Sequence, residues 1–226
     1  MNESFVIEYE KNSAINAYIS DVLKEYGAEF VFFEGAKYTS VNFYSERKAF
    51  KDLICEILIK FYKYSTIRRF YEQSECEKVY FYSFLGTVVS METDEEKRAI
   101  SAVIGDKTKI NVEGLLSFSL YELKKMWVGL ATLTRKLFLQ CVTEEDLLSL
   151  TGYFIGMDGA REGVLVINDG LYDKISGKKI ALADLVGDKE KNLALNVFFN
   201  KPKEIIVPEP NKYSEDLIRF LKALGE

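Results

Sequence analysis

The first 201 residues of the chain contain no proline; Pro202, Pro208 and Pro210 all fall in the last 25. Proline removes a backbone donor and breaks helices, so a long proline-free stretch permits long helices and offers no proline-rich linker between domains. Only hydrophobic periodicity, glycine and capping residues remain to mark where elements start and stop. The chain has 226 residues, 48% of them hydrophobic and 29% charged, enough to bury a sizeable core as one large domain or two small ones.

Several function classes fall away on composition. The net charge of −5 gives no bulk positive field to draw the chain onto nucleic acid or an anionic membrane. There is no histidine, which removes the commonest general base and zinc ligand and every Ser-His or Cys-His nucleophile pair. The three cysteines, Cys55, Cys76 and Cys141, are odd in number and far apart, a poor basis for a disulfide framework. Cys55 beside Ile54 and Ile57, and Cys141 beside Leu139 and Val142, read as small buried hydrophobes. Cys76 lies between Glu75 and Glu77 and reads as the most exposed. No metal site and no cofactor site is expected, because neither histidine nor a closely spaced cysteine pair is present.

Glu3, Glu8 and Glu10 stand where a signal peptide would carry a basic and then an apolar segment, so a cytoplasmic protein is expected. The longest uncharged run, Val79 to Met91, is shorter than the roughly 20 residues of a spanning helix and reads as a buried core segment. The run Met126 to Thr134 is shorter still.

Three regions differ in texture. In residues 1–45, Phe5-Val6-Ile7 with Tyr9 reads as a strand, and Asn12 or Ser13 caps a helix carrying Ile15, Tyr18, Ile19, Val22, Leu23 and Tyr26, closed by Gly27. The aromatic and β-branched runs 29–34 and 38–44 then form a hairpin, giving the order β-α-β-β. Residues 46–157 read as a helical region whose short connections imply antiparallel neighbours. Phe50, Leu53, Ile54, Ile57, Leu58, Phe61 and Tyr62 keep helical spacing. Gly114 opens a long helix with Leu116, Leu120, Leu123, Trp127, Leu130, Leu137 and Cys141 inward, so Trp127, the only tryptophan, is expected in the core. In residues 158–226, the run 164–167, a turn at Asn168-Asp169-Gly170 and the run 171–175 form a hairpin. A helix over 183–199, a strand over 204–207 and a helix capped by Ser214 follow, giving β-β-α-β-α.

The fold class expected is therefore α+β, with a central antiparallel helical bundle inserted between an N-terminal βαββ segment and a C-terminal ββαβα segment. Neither end carries enough strands for an independent sheet, so one mixed sheet shared by both ends is the preferred arrangement, with 1–45 and 158–226 as one discontinuous domain. Two separate α+β pieces are the alternative.

The acid clusters Asp94-Glu95-Glu96 and Glu144-Glu145-Asp146 each follow a threonine and precede an apolar helix, which a favourable interaction with the helix N-terminus explains. Asp158, Asp169 and Asp173 do not match a calcium loop, and Asp169-Gly170 suits a turn. Gly152, Gly156, Gly159 and Gly163 form no phosphate loop and read as a helix stop and linker. No catalytic residue emerges. The one candidate interaction face is Lys60, Lys63, Arg68 and Arg69, interleaved with Tyr62, Tyr64, Phe70 and Tyr71, since basic residues among aromatics can hold nucleic acid. Acidic and basic residues balance over 46–150, so a solvated helix face is the plainer reading.

Three stretches carry a resemblance. They are Asn111-Val112-Glu113-Gly114-Leu115-Leu116-Ser117-Phe118-Ser119-Leu120, then Leu147-Leu148 with Tyr153-Phe154, then Leu193-Ala194-Leu195 through Lys201-Pro202-Lys203-Glu204-Ile205-Ile206. In order and spacing they are similar to the "EGF-x-NFRL" helix start, the "LL-x-YF" segment and the C-terminal helix followed by "PK-x-I-x-I" of the sporulation protein YtxC family of endospore-forming bacteria. Ser119 stands where that family usually has arginine. The resemblance implies a role in sporulation and brings no catalytic residue with it.

The leading expectation is a non-enzymatic cytoplasmic interaction or regulatory protein of sporulation with a protein partner and no membrane partner. The alternatives are a nucleic-acid-binding module using the Lys60–Arg69 face, and an enzyme using carboxylates and a lysine.

Overall fold

A computed structural model of the chain describes residues 2–72, 78–158, 161–168, 170–200 and 202–224. It is α+β and divides into two compact units, residues 1–63 with 93–127 and residues 64–92 with 128–226. The expected 46–157 helical region is thus not one inserted bundle. Its helices are shared between the two units.

In the first unit, β1 (Glu3–Glu10) leads to α1 (Ser13–Glu25), β2 (Phe30–Glu34) and β3 (Tyr38–Ser45), in the order the sequence indicates. The Asn12 side chain accepts from the backbone of Ala14 and Ile15 to start α1. Gly27, at φ +63, takes the left-handed conformation that follows the helix end. The sheet order is β2-β3-β1-β4, where β4 (Lys109–Asn111) is a three-residue strand parallel to β1. Alternation along β1 and β3 turns Phe5, Ile7, Tyr9, Val41 and Phe43 inward, all buried. They meet α2 (Arg47–Ile57), where the Phe50 ring stacks on Phe5 with centroids 4.2 Å apart.

Helix α2 continues as a π-helical segment, Leu58–Lys63, and then as α3 (Tyr64–Arg68), which belongs to the second unit. There α4 (Val79–Ser90) is buried on every side from Phe81 to Ser90. The uncharged run is therefore a core helix, and among the described residues no helix is long and apolar enough to cross a membrane. Back in the first unit lie α5 (Thr93–Ile104), α6 (Val112–Gly114) and a second π-helical segment, Leu115–Ser119. The long helix expected from Gly114 is broken at Leu120, whose backbone leaves helical geometry at φ −117 and ψ 25. It resumes as α7 (Tyr121–Phe138).

The second unit continues with α8 (Glu144–Asp158), which holds Gly152 and Gly156 inside it rather than ending at them. Gly163 lies in β5 (Arg161–Ile167), and Gly159 and Asp169 fall outside the described residues. Strand β5 pairs antiparallel with β6 (Leu171–Asp173), which pairs with β7 (Lys179–Ile180). The helix expected over 183–199 is only α9 (Lys189–Phe199). Asp188 caps it, and the buried side chains of Asn192 and Asn196 bond the backbone of Leu185 and Ala183, holding those residues out of the helix. Strand β8 (Pro202–Ile206) returns parallel to β5, and α10 (Glu215–Leu224) follows the Ser214 cap. The sheet order is β7-β6-β5-β8.

The expected shared sheet therefore does not form. Among the described residues, each end of the chain completes its own four-stranded sheet, the first by taking β4 from far along the chain, the second by adding β7 to the three strands expected there. Each sheet contains one parallel pair, β1 with β4 and β5 with β8.

Helices α4 and α9 approach closely at Gly86, where an added Cβ would lie 2.5 Å from the Leu195 carbonyl oxygen and 3.0 Å from the Phe198 Cβ. Gly86→Ala should gain about 1 kcal/mol in helix propensity and lose about 3 kcal/mol to overpacking against a backbone that cannot yield cheaply. Urea denaturation should show a net loss of about 2 kcal/mol; an alanine variant as stable as the parent would mean that the two helices do not approach so closely.

Candidate functional site

The four residues of the expected basic face do not share a face. Lys60 and Lys63 are both buried, Lys63 completely. Arg68 is half-buried with its guanidinium over the Phe81 ring at 5.3 Å, and only Arg69 is exposed. The reason lies in the backbone. A π-helical turn carries more residues than the 3.6 of an α-helix, so it rotates the positions after it by up to about 100° relative to α-helical spacing. Helical spacing puts Lys60 and Lys63 outside; the π segment brings both inward.

Three side chains of this one segment each meet a carboxylate. Lys60 Nζ lies 2.9 Å from Glu56 Oε2 and donates to the Tyr18 hydroxyl at 3.0 Å. Lys97 pairs with the other Glu56 oxygen. Tyr62 donates to Glu113 Oε1, which also accepts from the Glu10 backbone N–H. Lys63 Nζ lies 2.7 Å from Glu96 Oε1, and the same oxygen accepts from Trp127 Nε1 at 2.9 Å. Trp127 is buried as its periodicity indicates, yet its ring also completes a polar contact.

The electrostatics follow from these contacts. Burial would raise the Glu56 carboxyl, but the ammonium groups of Lys60 and Lys97 outweigh it and hold it down at about 2. Burial would lower Lys60, but Glu56 and Tyr18 outweigh it and raise it above the usual lysine range. Burial pushes the Tyr18 hydroxyl up to about 12 and the Cys55 thiol up to about 11. At neutral pH, Lys60 is therefore a protonated cation, Glu56 an anion and Cys55 a neutral thiol. None of the three is poised as a nucleophile or general acid.

The acid clusters divide in the same way. Asp146 and Thr143 cap α8 reciprocally, Asp146 accepting from the Thr143 backbone and Thr143 Oγ1 accepting from the Asp146 N–H. Backbone bonds from Thr143 and Val142 hold the Asp146 carboxyl below its usual range. Asp94 and Glu95 are exposed in the first turn of α5, whereas Glu96 is buried on Lys63 and Trp127, which the helix-terminus reading does not account for. Only the Glu56–Lys60 spacing of four could have been seen in the sequence. Asp173 caps its own turn by accepting from Ser176. Cys141 is half-buried, and Cys76 falls outside the described residues.

One feature of the second unit that offers apolar side chains to a partner is α8. Leu147, Thr151 and Phe154 turn inward, while Leu150, Tyr153 and Met157 make a second stripe at helical spacing. Tyr153 is 61% exposed and Met157 62%. The N-terminal end of the helix is fixed by Glu144, which pairs with Lys78 at 2.8 Å and Arg219 at 3.3 Å. No protein-family model, curated protein or solved structure matches this chain.

Glu56 contributes stability that is complete above the ordinary carboxylate range and is lost as pH falls toward 2, because its folded carboxyl titrates lower than its unfolded one. The contribution is up to about 3 kcal/mol. Glu56→Gln should therefore be less stable at neutral pH and should flatten the stability profile between about pH 5 and 2. Chemical denaturation across that range checks this, and parallel profiles for the two proteins would contradict it.

Lys63→Met should cost about 3–5 kcal/mol by leaving the Glu96 charge buried without its lysine. Lys63→Met with Glu96→Leu should recover all but about 1–3 kcal/mol, the penalty of an indole N–H that loses its acceptor. Trp127 emission reports both unfolding curves, and a double variant no better than the single would refute the pairing.

Proposed function

We propose that the chain is a non-enzymatic interaction or regulatory protein that acts in the cytoplasm during sporulation and meets a protein partner through the outer stripe of α8. The observation that carries this reading is the pair Tyr153 and Met157, each more than half exposed on a helix whose opposite face is buried. An amphipathic helix with a second apolar stripe presents anchors of the kind that dock in a groove. Aromatic and methionine side chains are the types enriched at interfaces. The sporulation role rests on the sequence resemblance, and Tyr153-Phe154 is one of the segments that carries it. Phe154 packs inward while Tyr153 faces out, so the pair couples core and surface at one point. The charged interior groups support the non-enzymatic part, because Lys60 and Glu56 neutralise each other instead of standing ready to exchange protons.

Tyr153→Lys with Met157→Lys should leave the melting temperature within the small range usual for surface changes. The same variant, replacing the native chain in sporulating cells, should lower spore yield and abolish photo-crosslinking from a probe placed at Leu150. Native spore yield together with an unchanged crosslinking pattern would defeat the proposal.

A further inference from the structure

The two sheets have four edges among the described residues: β4, β7, β8 and β2. Exposed edges carry unpaired backbone groups, and proteins blunt them by shortness, charge or proline. Strand β4 has three residues and β7 two. Strand β8 begins at Pro202, which has no N–H, and continues with the exposed charges Lys203 and Glu204. Strand β2 has none of these protections. It is Phe30-Val31-Phe32-Phe33-Glu34, with its single charge at the last position. Val31 is 56% exposed and Phe33 54%.

The pairing of β2 with β3 fixes which backbone groups face the free edge. Gly35 N–H donates to the Tyr38 carbonyl, so Gly35 and Tyr38 form a hydrogen-bonded pair. Antiparallel alternation makes Val31 with Asn42 and Phe33 with Ser40 the next such pairs, from the register of the two strands. Phe30, Phe32 and Glu34 therefore direct their N–H and C=O groups outward.

We propose that β2 pairs antiparallel with β2 of a second copy of this chain about a two-fold axis through Phe32. That register uses all three outward residues of each copy: Phe32 bonds Phe32 of the second copy, and Phe30 bonds Glu34 in both directions. A shift by two residues would leave part of the edge unmatched. On the outer face, Val31 then lies opposite Phe33 of the second copy, twice by symmetry, so the two exposed side chains cover each other. No like charges are opposed. Glu34 faces Phe30, and Glu29 lies beside the turn that carries the second copy's Lys37, which in its own chain is 3.1 Å from Glu10. An interface of five residues per copy belongs to the small class below about 1,200 Å², so the dimer is a reversible one.

The inference is independent of the α8 reading, since it concerns a strand of the first unit. Sedimentation equilibrium of the full chain should show a concentration-dependent monomer–dimer exchange. Val31→Lys with Phe33→Lys, both at exposed positions, should give a monomer with an unchanged circular dichroism spectrum. Register is tested by mixing: Val31→Cys protein with Phe33→Cys protein should form an inter-chain disulfide under mild oxidation several-fold more than either alone. A native chain that stays monomeric well above micromolar concentration would overturn the proposal. So would a dimer that survives the double lysine variant, or cross-linking no greater in the mixture than in the separate proteins.

Discussion

The chain leaves its first unit after Lys63, re-enters it at Thr93 and leaves it again after Trp127. At or within a few residues of those three points stand Lys63, Glu96 and Trp127, and all three meet at one carboxylate oxygen. A buried ion pair is weak evidence for stability in itself, because desolvation offsets most of the Coulombic gain. Its force is in geometry. A charge with no water around it tolerates few alternatives, so Glu96 requires both its lysine and its indole, and those requirements fix three segments distant in sequence relative to one another within the unit. The π-helical turn follows from the same demand. An α-helical register through residues 58–63 would send Lys63 outward, away from Glu96.

Much of the local structure was legible because local physics determined it. The caps at Asn12, Thr143 and Ser214, the two hairpins and the apolar faces of α1 and α2 lie within a few residues of the signals that mark them. The inward positions Leu120, Leu123 and Trp127 are likewise visible in the spacing. What was not legible depends on partners remote in sequence. Strand β4 is Lys109-Ile110-Asn111, with one apolar residue and no alternation to notice, and only its pairing with β1 makes it a strand. The π segment leaves no compositional mark, so Lys60 and Lys63 read as solvent-facing when they are the most constrained charges of the segment. The single-sheet expectation failed for the same reason. Each end reads as three strands, and the fourth is β4, remote from β1 in sequence, in the one sheet and the two-residue β7 in the other.

Two sheets in place of one also change what the surface must manage. A single mixed sheet of eight strands would have two edges; two sheets of four have four. Each edge needs its own protection, and the short β4 and β7 and the proline-led β8 are the forms that protection takes here.

The remaining edge and the outer stripe of α8 differ in what they ask of a partner. Along β2, backbone groups are unsatisfied, and only another strand in the right register can bond them while matching the side chains on both faces. Along α8, the backbone is already bonded within the helix, so side chains alone are on offer. Leu150, Tyr153 and Met157 impose no symmetry and no register. A strand edge that is complementary to itself suits a second copy of the same chain. A helix stripe that is not suits a different protein, one that supplies the groove its side chains fill.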